Sequence, residues 1–147
     1  MKFFIVSLTL AFVIGFSATA FATTAAVGSI KKTKGEVSII RDGKSLQAQP
    51  GERLFQSDTL KTGNDGSMGV IFRDNTTLSL GPGSKIVIDE FVFSPSQSKF
   101  GMVTTMFKGT AVFFSGEIAK LAPEKVKIET PLATLGIRGT RFLVKVE

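Results

Sequence analysis

Catalysis draws on side chains that move protons, hold metals or attack carbonyls, and this chain offers few of them. Its 147 residues include no cysteine and no histidine. Triads built on those residues are thereby excluded, as are the usual ligands of zinc, haem, copper and iron–sulfur centres. Carboxylates remain, and Asp58, Asp65, Asp74 and Asp89 are the candidates for a general acid–base pair. Three of the four stand in or beside turn clusters such as Thr62-Gly63-Asn64-Asp65-Gly66 and Asp74-Asn75. Aspartate recurs in turns because its carboxylate bonds the neighbouring backbone. The oxygen-rich turns also lack the further acids, at fixed offsets, that a calcium loop requires. The expectation is a protein that is not an enzyme and carries no cofactor and no metal.

The charge balance is basic, with 18 Lys and Arg against 12 Asp and Glu and a sequence pI of about 9.8. A nucleic-acid partner is one reading of that balance, but the N-terminus argues against it. Lys2 precedes an apolar run from Phe3 to Phe16, and small residues lead to Ala20-Phe21-Ala22. This order of charge, apolar segment and small-x-small site is that of a secretory signal peptide, residues 1–22, expected as a helix and cleaved after Ala22. Ala18-Thr19-Ala20 is a second cleavage choice. The apolar run is shorter than the ~20 residues that span a bilayer, which favours cleavage over retention as an anchor. The expected location is therefore periplasmic or secreted, away from nucleic acid, with no stable membrane span after cleavage. The basic residues are scattered rather than gathered in one run. The partners expected are an envelope protein and, second, an anionic polymer outside the cytoplasm. A glycan is a weaker candidate, because the chain has no Trp and no Tyr, the rings that join an apolar face to a polar handle.

Positioning falls to short strands. Residues 23–33 are small and weakly patterned, and read as a flexible lead-in to one domain over 34–147. Val37 and Ile39 alternate with polar neighbours before the hairpin signal Asp42-Gly43. Met68, Val70 and Phe72 alternate likewise, as do Leu78 and Leu80. Ile86 and Ile88 share a parity that Phe91 and Phe93 break, which predicts a bulge near Asp89-Glu90. Phe100–Phe107 and Thr110–Phe114 read as strands divided by Lys108-Gly109, and Ile118–Leu121 allows one helical turn. Turn signals recur roughly every 8–12 residues, as in all-β sandwiches and barrels. The fold class is all-β.

The most specific stretch is Thr130-Pro131-Leu132-Ala133-Thr134-Leu135-Gly136-Ile137-Arg138-Gly139-Thr140-Arg141-Phe142. Gly136 and Gly139 allow backbone angles closed to other residues, and Pro131 withholds a ladder donor, so the run describes a tight corner. Beyond it, Thr140, Phe142, Val144 and Val146 share the better core parity, leaving Arg141 and Lys145 outward as a candidate partner-binding pair. Arg138 either ties down the corner by bonding carbonyls or faces a partner, the first being preferred. With Pro50-Gly51-Glu52, Ser57-Asp58-Thr59-Leu60-Lys61-Thr62-Gly63 and Phe107-Lys108-Gly109 upstream, the run resembles the signature of the FecR domain family. That resemblance covers roughly Gly35 to Val146, with Ser57 where the family often has glycine. It marks Thr130, Pro131, Gly136, Arg138, Gly139, Thr140 and Phe142 as the structural signature. It also implies a solenoid-like roll of short twisted strands, with a β-sandwich as the alternative. The function it implies is a signal-receiving or scaffold module of the bacterial envelope. The best-known relatives add a cytoplasmic sigma-factor regulator and a transmembrane helix, neither of which is read in this sequence. A cell-wall or surface-polysaccharide binder is the competing function.

Overall fold

The computed structural model describes residues 24–147, so the expected leader, residues 1–22, lies outside the described residues. Twelve strands follow in order: β1 (Gly28–Lys34), β2 (Val37–Arg41), β3 (Lys44–Gln47), β4 (Arg53–Leu54), β5 (Thr59–Thr62), β6 (Ser67–Phe72), β7 (Thr77–Leu80), β8 (Lys85–Ser94), β9 (Lys99–Phe114), β10 (Val126–Glu129), β11 (Thr134–Gly136) and β12 (Arg141–Val146). One helix, α1 (Glu117–Leu121), lies between β9 and β10.

The strands form one sheet that rolls over on itself. One half runs β4-β1-β6-β7-β9-β12 and the other β3-β2-β5-β8-β9-β10-β11. Strand β9 belongs to both, pairing through Lys99–Lys108 with β8 and through Ala111–Phe114 with β7. All neighbours are antiparallel except β10, which runs parallel to β9. The expected all-β roll of short twisted strands is what forms.

Alternation explains the roll. Ile39, Leu60, Ile86 and Met106 of one half face Val70, Leu78, Leu80 and Phe113 of the other, all buried, while their neighbours point to solvent. Phe72 stacks on Phe91 with ring centroids 5.5 Å apart. Four of the corners at which the chain crosses between the halves are Gly35-Glu36, Gly63–Gly66, Gly81–Ser84 and Lys108-Gly109. These corners bond to one another. Gly63 N–H donates to the Glu36 carbonyl (2.8 Å), and Gly83 N–H to the Gly63 carbonyl (3.0 Å). Thr110 N–H donates to Ser84 Oγ (3.0 Å), and Thr62 Oγ1 to the Gly81 carbonyl (2.7 Å). Backbone groups that leave the ladders at each bend are thus satisfied by the next bend.

Two expectations are corrected here. The segment read as a flexible lead-in ends in β1, an inner strand paired with both β6 and β4, with Val27 and Ile30 buried. A register shift between Ile30 and Lys32 breaks the alternation that would have marked it as a strand. Second, Phe100–Phe107 and Thr110–Phe114 are not separate strands: β9 runs on through Gly109 and bends there. The bulge expected near Asp89-Glu90 is present as a register shift between Ile88 and Glu90.

Candidate functional site

The four aspartates are the natural starting point, and none of them faces another acid across a cleft. Asp58, 1% exposed, receives Arg41 Nε–H on Oδ1 and an Arg41 terminal N–H on Oδ2, both at 2.8 Å. Phe55 N–H also donates to it (2.9 Å). The hydrogen bonds to Asp58 are the largest influence on Arg41 and hold its guanidinium pKa above the ordinary value, so it stays charged. Asp74 is fully buried and accepts three hydrogen bonds: from Thr76 N–H (3.0 Å), Thr76 Oγ1–H (2.8 Å) and Ile118 N–H (3.1 Å). Its own carbonyl accepts Glu117 N–H (2.7 Å), so this residue fixes the start of α1. Asp65 accepts Glu36 N–H and Asp89 accepts Thr105 Oγ1–H. Each carboxylate is engaged in holding the fold. Among the described residues no group of His, Cys, Asp or Glu is arranged to hold a metal ion.

The signature stretch builds a corner of a different kind from the one its glycines suggested. Thr130 N–H donates to the Ala133 carbonyl (2.8 Å), and Thr130 Oγ1 accepts Ala133 N–H (3.1 Å), closing a turn around Pro131 and Leu132. Strand β11 follows and pairs only with β10. Ile137, 7% exposed, then enters the core near Phe113, Ala119 and Phe142, where the chain crosses to the other half of the roll. Gly139 has φ +119°, the left-handed side that favours glycine, and its carbonyl accepts Ser115 Oγ–H (2.8 Å).

Three parts of the sequence reading need correction. Gly136 has neither a positive φ nor an atom near its missing Cβ, so neither backbone angle nor close packing demands glycine there. Arg138 makes no hydrogen bond among the described residues. It is exposed beside an open groove of about 450 Å³ that Pro123, Val126 and Ile137 also line. Thr140 shares the inward parity but is exposed, because it sits at the mouth of the corner.

Strand β12 carries the outward pair. Phe142 and Val146 are half-buried and Val144 is buried, while Arg141, Leu143 and Lys145 are exposed. The Arg141 guanidinium carbon is 5.6 Å from the centroid of Phe114, itself 44% exposed, and Lys145 Nζ is 3.2 Å from Glu147 Oε1. Only one side of β12 is paired, with β9. Ser115 N–H donates to the Thr140 carbonyl (2.9 Å). Backbone direction alternates along an antiparallel ladder, so Phe142 and Val144 address β9. Arg141, Leu143 and Lys145 turn their N–H and carbonyl groups to the open edge. Phe142→Ala is expected to cost about 2 kcal/mol, below the ~3–5 of a fully buried ring, and Arg141→Ala under ~0.5 kcal/mol. Urea unfolding of the two variants checks this. A loss from Arg141→Ala as large as that from Phe142→Ala would contradict the assignment of faces.

The chain is thus an all-β module whose four candidate aspartates accept hydrogen bonds from the fold and whose strand β12 is paired on one side. Residues 58–147, more than half of the chain, match the family described as FecR protein, and the chain belongs to that family of envelope signalling regulators. No curated protein and no solved structure matches the chain. Among the described residues no helix is long and apolar enough to cross a membrane. Sequence reasoning passed over Arg41, read Asp58 only as part of the stretch Ser57–Gly63, and read Asp74 as a turn residue. The Asp-x-Thr spacing of Asp74 and Thr76 was the available signal, an aspartate bonding the backbone two residues on.

Proposed function

We propose that this FecR-family chain is an exported, non-catalytic interaction module of the bacterial envelope that receives a protein partner by strand addition along β12. The open edge of β12 carries the reading: three residues whose backbone donors and acceptors are unpaired, with Leu143 65% exposed between two cations. Natural sheets protect such an edge with charge, and a partner strand satisfies the same groups with main-chain hydrogen bonds. Arg141 and Lys145 would then select a partner with acidic side chains at alternate positions. The competing reading, a wall-polysaccharide binder, has less support, since the exposed rings Phe107 and Phe114 both lie beneath cations of the chain itself.

A proline scan of β12 tests this without unfolding the module. Leu143→Pro removes an N–H that faces the open edge and leaves the β9 ladder whole, so the fold is expected to survive with a loss of about 1 kcal/mol. Val144→Pro removes a ladder donor and is expected to cost about 3 kcal/mol or more. Photocrosslinking from position 145 in native envelope should give one protein adduct, lost in Leu143→Pro. An adduct that survives Leu143→Pro at wild-type yield would sink the strand-addition reading.

A further inference from the structure

Basic residues that are far apart in the sequence meet on the outer face of the roll, across β5, β8 and β9. Lys61 of β5 stands directly opposite Lys85 of β8, and Lys85 directly opposite Lys108 of β9. Leu60 and Ile86, next to Lys61 and Lys85, are fully buried, which puts those two lysines on the solvent side of the pleat, and a register shift after the Lys85–Lys108 pair turns Lys108 outward as well, where it is exposed. Like charges directly opposed across strands are destabilising, and here two such pairs run in succession. The ion pairs among the described residues join Arg41 to Asp58, Lys120 to Glu117 and Lys145 to Glu147, and none involves this row. Of the acids nearest by register, Glu36 lies against Gly63 at the corner, and Glu147, next after the Val146–Gly109 pair, is bridged to Lys145. Lys85 Nζ sits 5.1 Å above the centroid of Phe107, which is 44% exposed.

We propose that this row binds a soluble, linear, phosphate-bearing polyanion laid across β5, β8 and β9. Neighbouring strands are about 4.8 Å apart, so the three ammonium groups make a line of closely spaced charge on an open face. A polymer charged along its length meets all three cations at once and relieves both repulsive pairs, whereas a small monovalent anion meets one. Lysine serves such a ligand as a point charge without demanding planar geometry. The open face favours a chain over an enclosed small molecule. A lipid surface fits less well, because three cations without apolar side chains free to enter the acyl boundary give only a weak attraction that salt screens. The one apolar side chain in the row, Phe107, lies under Lys85.

Titrating the protein into fluorescently labelled inorganic polyphosphate tests the site. Binding by the wild type is expected to weaken as salt is added. The triple variant K61Q/K85Q/K108Q should lose affinity on the order of tenfold or more. Its melting temperature should not fall, because the opposed like charges are gone. The triple K31Q/K32Q/K34Q removes the same charge from β1 and should stay within about twofold of wild type, the effect of net charge alone. Equal losses in both triples would overturn the site in favour of diffuse charge. So would a wild type that does not bind polyphosphate, including one that binds only phosphatidylglycerol vesicles.

Discussion

Gly109→Val is expected to leave the chain without a folded state, and Gly109→Ala to cost about 3–5 kcal/mol. The reason is local and doubled. Gly109 has φ +96°, where a side chain strains the backbone, and a Cβ built there would clash with Ser84 Oγ and with Ser84 Cα. The second contact is with backbone and cannot be relieved by a rotamer change. Ser84 is itself fixed, since its Oγ accepts Thr110 N–H and its N–H donates to Thr62 Oγ1 (2.9 Å). Opening this corner would part the halves of the sheet at the one strand they share. Gly136→Ala is the contrast: the added methyl meets nothing within 4 Å at an ordinary φ, and stability should change by less than ~0.5 kcal/mol. Circular dichroism and urea unfolding of the variants check both. A Gly109→Ala protein as stable as Gly136→Ala would refute the corner account.

Asp74→Ala is expected to cost about 3–5 kcal/mol, a large share of the ~5–15 kcal/mol that holds a domain folded. The substitution strands Thr76 N–H, Thr76 Oγ1–H and Ile118 N–H in a fully buried place, and each buried donor left unpaired costs about 1–3 kcal/mol. Asp74→Asn keeps the shape and one acceptor oxygen but sets an amide N–H₂ against donors, so about half the loss is expected. Gly116 gives the site no room to relax, since its Cα hydrogen already faces the Thr76 amide nitrogen and the Asp74 carbonyl. The measurement is the urea midpoint, with proteolysis in the segment after Phe114 as a local probe of α1. A loss under ~1 kcal/mol from Asp74→Ala would show that water replaces the carboxylate and that α1 is anchored elsewhere.

What the sequence disclosed, and what it hid, follows from how far each signal reaches along the chain. Strands with apolar residues at every second position, such as Met68, Val70 and Phe72 of β6 and Leu78 and Leu80 of β7, were legible from periodicity alone, and so was the turn Asp42-Gly43, where both residues have positive φ. β1 was missed because a bulge interrupts its alternation. The continuity of β9 was missed because a glycine that bends a strand looks locally like one that ends it. Signature residues were found as a motif, but their physical roles were not uniform: Gly139 answers to backbone angle and Phe142 to packing, while Gly136 answers to neither. The lysine row was beyond local reading altogether. Lys61, Lys85 and Lys108 become neighbours only through the pairing of β5, β8 and β9, so a scan for runs of charge finds nothing there.

The central claim, that β12 is an open edge that takes a partner strand, is tested most directly by residue-resolved amide hydrogen exchange. In the free protein the amides of Phe142 and Val144 should be protected and those of Arg141, Leu143 and Lys145 should exchange fast, an alternation set by the one-sided pairing with β9. With the crosslinked envelope partner bound, protection should appear at Arg141, Leu143 and Lys145 together. Uniform protection of all five amides in the free protein would contradict the account, as would protection that appears on binding only at another exposed edge, such as Lys44–Gln47.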